Sequence, residues 1–112
     1  MLPKLNRIPR SLFKDAIKSS RFIASSNFNF RYKFIKEPEK RFAIVISKNT
    51  IKKATDRNLL RRRCYSIIRK NLTRIKNGVF GIFLAKKGED KLNFVEIEKE
   101  INTLLKKANI IN

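Results

Sequence analysis

Residues 42–72 read FAIVISKNTIKKATDRNLLRRRCYSIIRKNL, and this stretch decides the architecture. Residues 42–46 are all apolar, which predicts a strand buried on both faces and therefore central in its sheet. After a polar connection at 47–53, residues 54–72 predict a long helix. At 100° per residue, one side of that helix is suited to a core and carries Leu60, Cys64, Ile67, Ile68 and Asn71. The other side is cationic and carries Asn58, Arg61, Arg62, Tyr65 and Arg69.

Upstream of this stretch, residues 27–35 alternate strictly and predict a strand. Phe28, Phe30, Tyr32 and Phe34 share one face, while Asn29, Arg31 and Lys33 share the other. Alternation alone leaves open whether the rings line an open surface or fill a core, and we expect at least two of them in the core. Residues 37–40 predict a turn, and residues 11–19 predict a short first helix with Ser11 as its N-cap.

Downstream, Asn77 and Gly78 end the long helix and residues 79–85 predict a further strand. Residues 86–91 predict a loop. Asn93 with Glu96 resembles a capping box, and apolar residues then recur at helical spacing at Phe94, Ile97, Ile101, Leu104, Leu105 and Ala108. The order of elements predicts one α+β domain over residues 1–112. We expect a small sandwich of about four strands and three helices, with one sheet face covered and the other partly open.

The charge of the chain indicates a polyanionic partner. Lys and Arg number 28 and Asp and Glu 9, which gives a net charge of +19. Nucleic acid is the leading candidate partner. A membrane surface would require a broad unpaired apolar face, and no apolar run approaches the roughly 18 residues of a membrane span. No secretory signal is visible at the N-terminus, so the cytoplasm is the expected location.

The residue inventory excludes most catalytic chemistry. With a single cysteine and no histidine, the chain has no internal disulfide, no Cys or His zinc site and no Ser-His-Asp triad. Cys64 lies in the apolar sector of its helix and is expected to be a buried core residue. A two-metal nuclease built from carboxylates alone stays open as a minor alternative. Its ligands would come from Asp15, Glu37, Glu39, Asp56, Glu89, Asp90, Glu96, Glu98 and Glu100.

The segment 47–69 is the candidate RNA-binding surface. Guanidinium groups on one side of a rigid helix bridge phosphate oxygens, and few acidic residues are interleaved to neutralise them. The preceding lysines stand next to a helix N-terminus, which also favours phosphate. The predicted RNA-binding residues are Lys48, Lys52, Lys53, Arg57, Asn58, Arg61, Arg62, Tyr65 and Arg69.

At this segment the sequence resembles the bacterial ribonuclease P protein component. The resemblance rests on a Ser-Lys strand end, a short connection and a helix that begins with Arg-Asn and continues with basic residues. It falls on Ser47, Lys48, Lys53, Ala54, Arg57, Asn58, Arg61 and Arg62, and extends more loosely to Asn6-Arg7, the aromatic strand and the last helix. Tyr65 departs from the pattern, because relatives often have Arg at that position.

The resemblance implies a protein subunit that has no catalytic residues and binds no metal of its own. Its partners would be a catalytic RNA that requires magnesium and a precursor tRNA whose 5′ leader is removed. The arginine-rich helix would face that RNA, and an unusual left-handed crossover would surround the helix. The leader would lie in a sheet cleft with an aromatic floor, for which the candidates are Phe13, Phe28, Phe30 and Tyr32.

Two rival binding functions are weighed against this resemblance, and the pattern at residues 47–69 discriminates against the first of them. A small ribosomal or other structural RNA-binding protein would show the same charge and basic helix. A sequence-specific DNA-binding helix would have a second helix directly before it, whereas here a strand precedes it.

Overall fold

The structure is a computed structural model that describes residues 2–86 and 93–112. It contains three α-helices and four strands in a mixed sheet. In chain order the elements are α1 (Phe13–Ile17), β1 (Arg21–Ala24), β2 (Phe28–Phe34), β3 (Lys40–Val45), α2 (Ala54–Asn71), β4 (Val79–Ala85) and α3 (Phe94–Lys107). The predicted α+β class, with about four strands and three helices, is confirmed.

The sheet has the strand order β1-β2-β4-β3. β1 pairs with β2 and β2 pairs with β4, both antiparallel, whereas β3 and β4 run parallel. A parallel pair requires a crossover, and α2 supplies it between β3 and β4. The resemblance implies a left-handed crossover for this unit, and that handedness stays a prediction.

The predicted place of residues 42–46 in the sheet is wrong, because β3 is an edge strand. Its residues are nevertheless apolar on both faces because both faces are covered. Phe42 and Ile44 point into the main core, while Ala43 packs on the opposite side. The outer edge of β3 is also covered, since Arg7 bridges to Phe42 and the Ile8 N–H donates to the Phe42 carbonyl at 3.1 Å. Such cover protects an edge strand from pairing with another chain.

The main core lies between one face of the sheet and the helices α2 and α3. Phe28, Phe30 and Tyr32 point into it from β2, and the Phe30 ring stacks on Phe83 with centroids 4.2 Å apart. Gly81 of β4 leaves room for these rings, because a Cβ there would lie 2.7 Å from Phe42 and 2.9 Å from Phe30. Close packing of aromatic rings on this face therefore depends on a glycine in the central strand.

The opposite face of the sheet is only partly covered. The short helix α1 packs Ala16 against Ala43, Phe80 and Ile82, with Phe13 half-buried beside them. α1 begins later than predicted, because residues 10–12 form a 3₁₀ turn and Ser11 does not cap the helix. Five helical residues cannot span the four-stranded sheet, so part of this face stays open.

The two longer helices begin and end close to where the sequence predicts. α2 ends at Asn71, one residue before the predicted end. The Asn93 side chain accepts a hydrogen bond from the Glu96 N–H at 2.8 Å, and its amide donates to the Glu96 carboxylate at 2.7 Å. The predicted capping of α3 is therefore confirmed. The predicted loop at 86–91 lies outside the described residues after Lys86.

Candidate nucleic-acid interface

The exposed side of α2 carries a concentration of positive charge. Within this helix Asp56 is the single acidic residue, against five arginines and Lys70. Arg62 and Arg69 are exposed and seven residues apart, so they lie on the same side of the helix two turns from each other. Arg61 donates to the Asn58 side-chain oxygen at 2.9 Å, which fixes one guanidinium along this side. The arrangement presents several guanidinium groups in a row on a rigid support.

The connection before α2 is held in a tight turn by its own side chains. The Thr50 N–H donates to the Ser47 hydroxyl at 3.2 Å and to the Ser47 carbonyl at 3.1 Å. Arg57 reaches back from the helix and donates to the Ile51 and Lys52 carbonyls, both at 2.8 Å. One Arg57 nitrogen therefore organises the loop, and Lys48, Lys52 and Lys53 remain exposed around it.

Tyr65 does not lie on the cationic side, and this part of the prediction is wrong. The residue is 8% exposed and belongs to the main core. On a helical wheel it stands 60° from Ile68, at the border between the apolar and cationic sectors. Packing against the main core, rather than helical periodicity, determines that it is buried. Its hydroxyl lies 3.4 Å from the Ile44 N–H, so it accepts a hydrogen bond from the outer edge of β3.

The aromatic face of β2 is also buried, so the prediction that Phe28, Phe30 and Tyr32 line an open cleft is wrong, whereas the expectation that at least two of the β2 rings lie in the core is confirmed. Phe28 and Phe30 are 0% exposed and Tyr32 is buried with them. The physical reason is that α2 and α3 present the larger apolar faces and cover the sheet face with the most apolar area. Phe13 lies across the sheet from these three rings and is half-buried, so the structure does not bring the four predicted residues together.

The partly open face carries the cations of β2 instead. Arg31 lies over the Phe22 ring of β1, 5.2 Å from its centroid, and the two residues are register partners. Phe22 is 51% exposed. Lys33 donates to carbonyls at the end of α1, including that of Lys18 at 3.3 Å. An exposed ring with a guanidinium above it offers both a stacking surface and a positive charge.

Phe22 is a candidate that the sequence analysis missed. Residues 21–24 are too short and too weakly alternating to predict β1, so nothing placed Phe22 beside Arg31. The available signal was the length between the predicted first helix and the aromatic strand. That length allows one extra short strand to pair with β2.

The carboxylates do not gather into a metal site in the part of the chain that the structure describes. Within residues 2–86 and 93–112, no three His, Cys, Asp or Glu side chains are grouped as they would be around a metal ion. Several carboxylates have structural contacts instead: Glu100 accepts from the Asn27 N–H at 2.7 Å, and Glu98 pairs with Lys70 at 2.8 Å. Glu89 and Asp90 lie outside the described residues.

Within residues 2–86 and 93–112, no helix is both long enough and apolar enough to cross a bilayer.

Fold and surface together define a small basic α+β protein with a crossover helix that is apolar on its sheet side and cationic outside. A family model described as Ribonuclease P matches residues 2–109. The chain therefore belongs to the ribonuclease P protein family.

Individual proteins are similar to this chain in sequence or in fold. The chain is 42% identical over 72 residues to the ribonuclease P protein component of Microcystis aeruginosa, a match that covers 64% of this chain and 60% of that relative. The structure of the Staphylococcus aureus RNase P protein is 22% identical and superposes with a TM-score of 0.86 over 97% of this chain and all of that one. The RNase P protein of Thermotoga maritima is 24% identical, with a TM-score of 0.80 over 90% of this chain and 96% of that one. Both structures have the same fold as this chain.

Proposed function

We propose that this chain is the protein subunit of a bacterial-type ribonuclease P. It binds a catalytic RNA and the 5′ leader of precursor tRNA, and thereby promotes removal of the leader in the cytoplasm. The RNA performs the hydrolysis with magnesium, and the protein contributes positive charge and leader binding. The protein itself supplies no catalytic residue and no metal ligand.

The observation that carries this proposal is the exposed arginine side of α2 in a chain whose family match spans residues 2–109. A phosphate backbone is the polyanion that such a row of guanidinium groups fits, and each neutralised phosphate strengthens binding. In this proposal the RNA-facing residues are Lys48, Lys52, Lys53, Asn58, Arg61, Arg62 and Arg69. Arg57 shapes the loop that presents the three lysines.

The leader is proposed to lie on the α1 side of the sheet. That side has the exposed Phe22 ring, the Arg31 guanidinium above it and the half-buried Phe13. Single-stranded RNA is commonly held by stacking on aromatic rings combined with cationic contacts to phosphates. The main core face is unsuited to this role because α2 and α3 cover it.

A structural RNA-binding protein, such as a ribosomal protein, is the second candidate. It is favoured only by the net charge and the basic helix, which the two classes share. The distinction is functional, because a structural protein has no reason to change the rate of leader removal.

Reconstitution with a bacterial ribonuclease P RNA tests the proposal. At a magnesium concentration where the RNA alone is slow, the protein should raise the rate of leader removal from precursor tRNA. The variant Arg61→Gln/Arg62→Gln should require a higher protein concentration for the same rate, because two phosphate contacts are lost. No rate increase with an RNA that is active at high magnesium would refute the proposal and favour the structural class.

A further inference from the structure

A recess lies at the outer edge of β3, between the N-terminal segment and α2. Its volume is about 650 Å³, within the range of about 300–1,000 Å³ that small-molecule sites occupy. It is lined by residues 4, 5 and 7–9 of the N-terminal segment, by Arg41 of β3 and by Tyr65 of α2. Of these residues only Tyr65 belongs to the predicted RNA-binding set, so the recess is a separate feature of the surface.

One part of the recess is cationic. Lys4, Arg7 and Arg41 contribute three positive charges, against one carboxylate that pairs with Arg41, that of Glu39. Arg41 also donates to the Arg7 carbonyl at 2.9 Å, which fixes its position. The Arg7 Nε is buried and has no hydrogen-bond partner in the described part of the chain. Arg7 lines the recess, and the charge of its guanidinium favours an anionic oxygen as a ligand there.

The other part of the recess is apolar. Leu5 is 78% exposed and lines the recess. Ile8, Pro9 and Tyr65 also line the recess. The Tyr65 hydroxyl accepts a hydrogen bond from the Ile44 N–H of β3. A ligand with a flat ring and an anionic group matches both parts, and a nucleotide has both.

The recess borders the cationic side of α2. Tyr65 follows Arg61 by four residues and precedes Arg69 by four, so it stands about 40° from each on the helix, at the border of the cationic sector. We propose that the recess binds one unpaired nucleotide of an RNA lying on α2, with its phosphate at Arg7 and Arg41 and its base against Leu5 and Ile8. This inference rests on the proposed function, because it extends the RNA surface of α2 to the edge of β3.

Titration of the full chain with adenosine 5′-monophosphate, followed by amide NMR, tests the site without any catalytic RNA. The expected shifts centre on residues 4–9, Arg41 and Tyr65. Adenosine and inorganic phosphate should each bind at least about tenfold more weakly, since each lacks one of the two complementary groups. Equal binding of inorganic phosphate, or shifts centred on the exposed side of α2, would overturn the proposal.

Variants locate the binding more sharply. Arg7→Gln removes the unpartnered guanidinium and should weaken adenosine 5′-monophosphate about tenfold or more. Leu5→Glu places a negative charge at an exposed position, where it should weaken the nucleotide without unfolding the chain. The matched control is Lys106→Gln, an exposed cation of α3 that lies outside both the recess and the RNA-binding surface. It should leave nucleotide binding unchanged, and an equal loss in all three variants would show general anion binding.

A single-stranded oligonucleotide distinguishes bound RNA from a free nucleotide as the occupant. Leu5→Glu should weaken its binding severalfold, and the oligonucleotide should displace adenosine 5′-monophosphate. Oligonucleotide binding that is indifferent to Leu5→Glu would overturn the RNA assignment. Because these measurements omit the catalytic RNA, a failed reconstitution with intact nucleotide binding would count against the proposed function alone. A successful reconstitution without nucleotide binding would count against the recess alone.

Discussion

The two faces of the β-sheet differ in burial. The residues of β2 alternate strictly between them, with aromatic side chains on one face and polar or cationic ones on the other. One face places Phe28, Phe30 and Tyr32 under α2 and α3, where they are buried. The other places Arg31 beside the exposed Phe22, on the face that the five-residue helix α1 covers only in part. The comparison teaches that aromatic content does not mark a binding face. The face that two long amphipathic helices can cover becomes the core, and the face left over becomes available to a ligand.

The largest expected effect is that of Phe30→Ala. The ring is fully buried and stacked between Tyr32 and Phe83, with centroid distances of 5.3 and 4.2 Å. Its removal leaves a cavity that should lower the free energy of unfolding by about 3–5 kcal/mol. Chemical denaturation of the isolated protein measures this loss.

The matched control is Phe22→Ala, the same substitution on the opposite face. It should lower the free energy of unfolding by no more than about 1 kcal/mol, the usual worth of an exposed cation–π contact. Comparable losses in both variants would show that the two faces are equally buried, which contradicts the comparison.

A pH-dependent effect on stability concerns the exclusion of water from the core beneath α2. Burial raises the pKa of the Cys64 thiol to about 12 from 9.0, with a further contribution from the charge of Glu100. The folded state therefore keeps the thiol proton at a pH where the unfolded state releases it. The free energy of unfolding should fall as pH rises from about 9 to 12, by at most about 1.4 kcal/mol per pH unit for this group.

Other groups titrate in the same range, so the readout is a difference between variants. Denaturation midpoints should fall less steeply with pH in Cys64→Ala than in the native chain, because the variant lacks the thiol proton. Parallel pH profiles would mean that Cys64 is not shielded as its burial indicates.

The smallest effect on folding is expected on the cationic side of α2. Arg62→Ala should leave the free energy of unfolding within about 0.5 kcal/mol, since the side chain is exposed. Its RNA affinity should fall, and the log–log salt dependence of binding should flatten by roughly one unit for the lost phosphate contact. An unchanged slope in Arg61→Ala/Arg62→Ala would show that this side of α2 does not face RNA.

The parts predictable from sequence were those set by local patterns. The ends of α2 and the Asn93 cap of α3 follow from helical periodicity and side-chain chemistry within a few residues. The burial of Cys64 follows from its place in the apolar sector. These features depend on neighbours in the chain, so a single sequence contains their signal.

The parts that were not predictable depend on tertiary context. β3 has apolar residues on both faces, yet it lies at the sheet edge. The N-terminal segment covers that edge through a bridge between Arg7 and Phe42, which are 35 residues apart in sequence. Tyr65 lies at the border between the apolar and cationic sectors of α2, and its burial depends on its contact with the edge of β3. Phe22 belongs to a four-residue strand that becomes recognisable only when paired with β2. In each case the deciding partner is distant in the chain.

The most direct test of the account is the affinity of the reconstituted holoenzyme for precursor and mature tRNA, measured with the native chain and with Phe22→Ala. If the leader lies on the α1 side of the sheet, the variant should lose about 1–3 kcal/mol of affinity for precursor tRNA, the usual worth of one base–aromatic stack. Its affinity for mature tRNA, which has no leader, should stay the same. An equal loss for both tRNAs, or no loss for either, would contradict the assignment of the leader to this face.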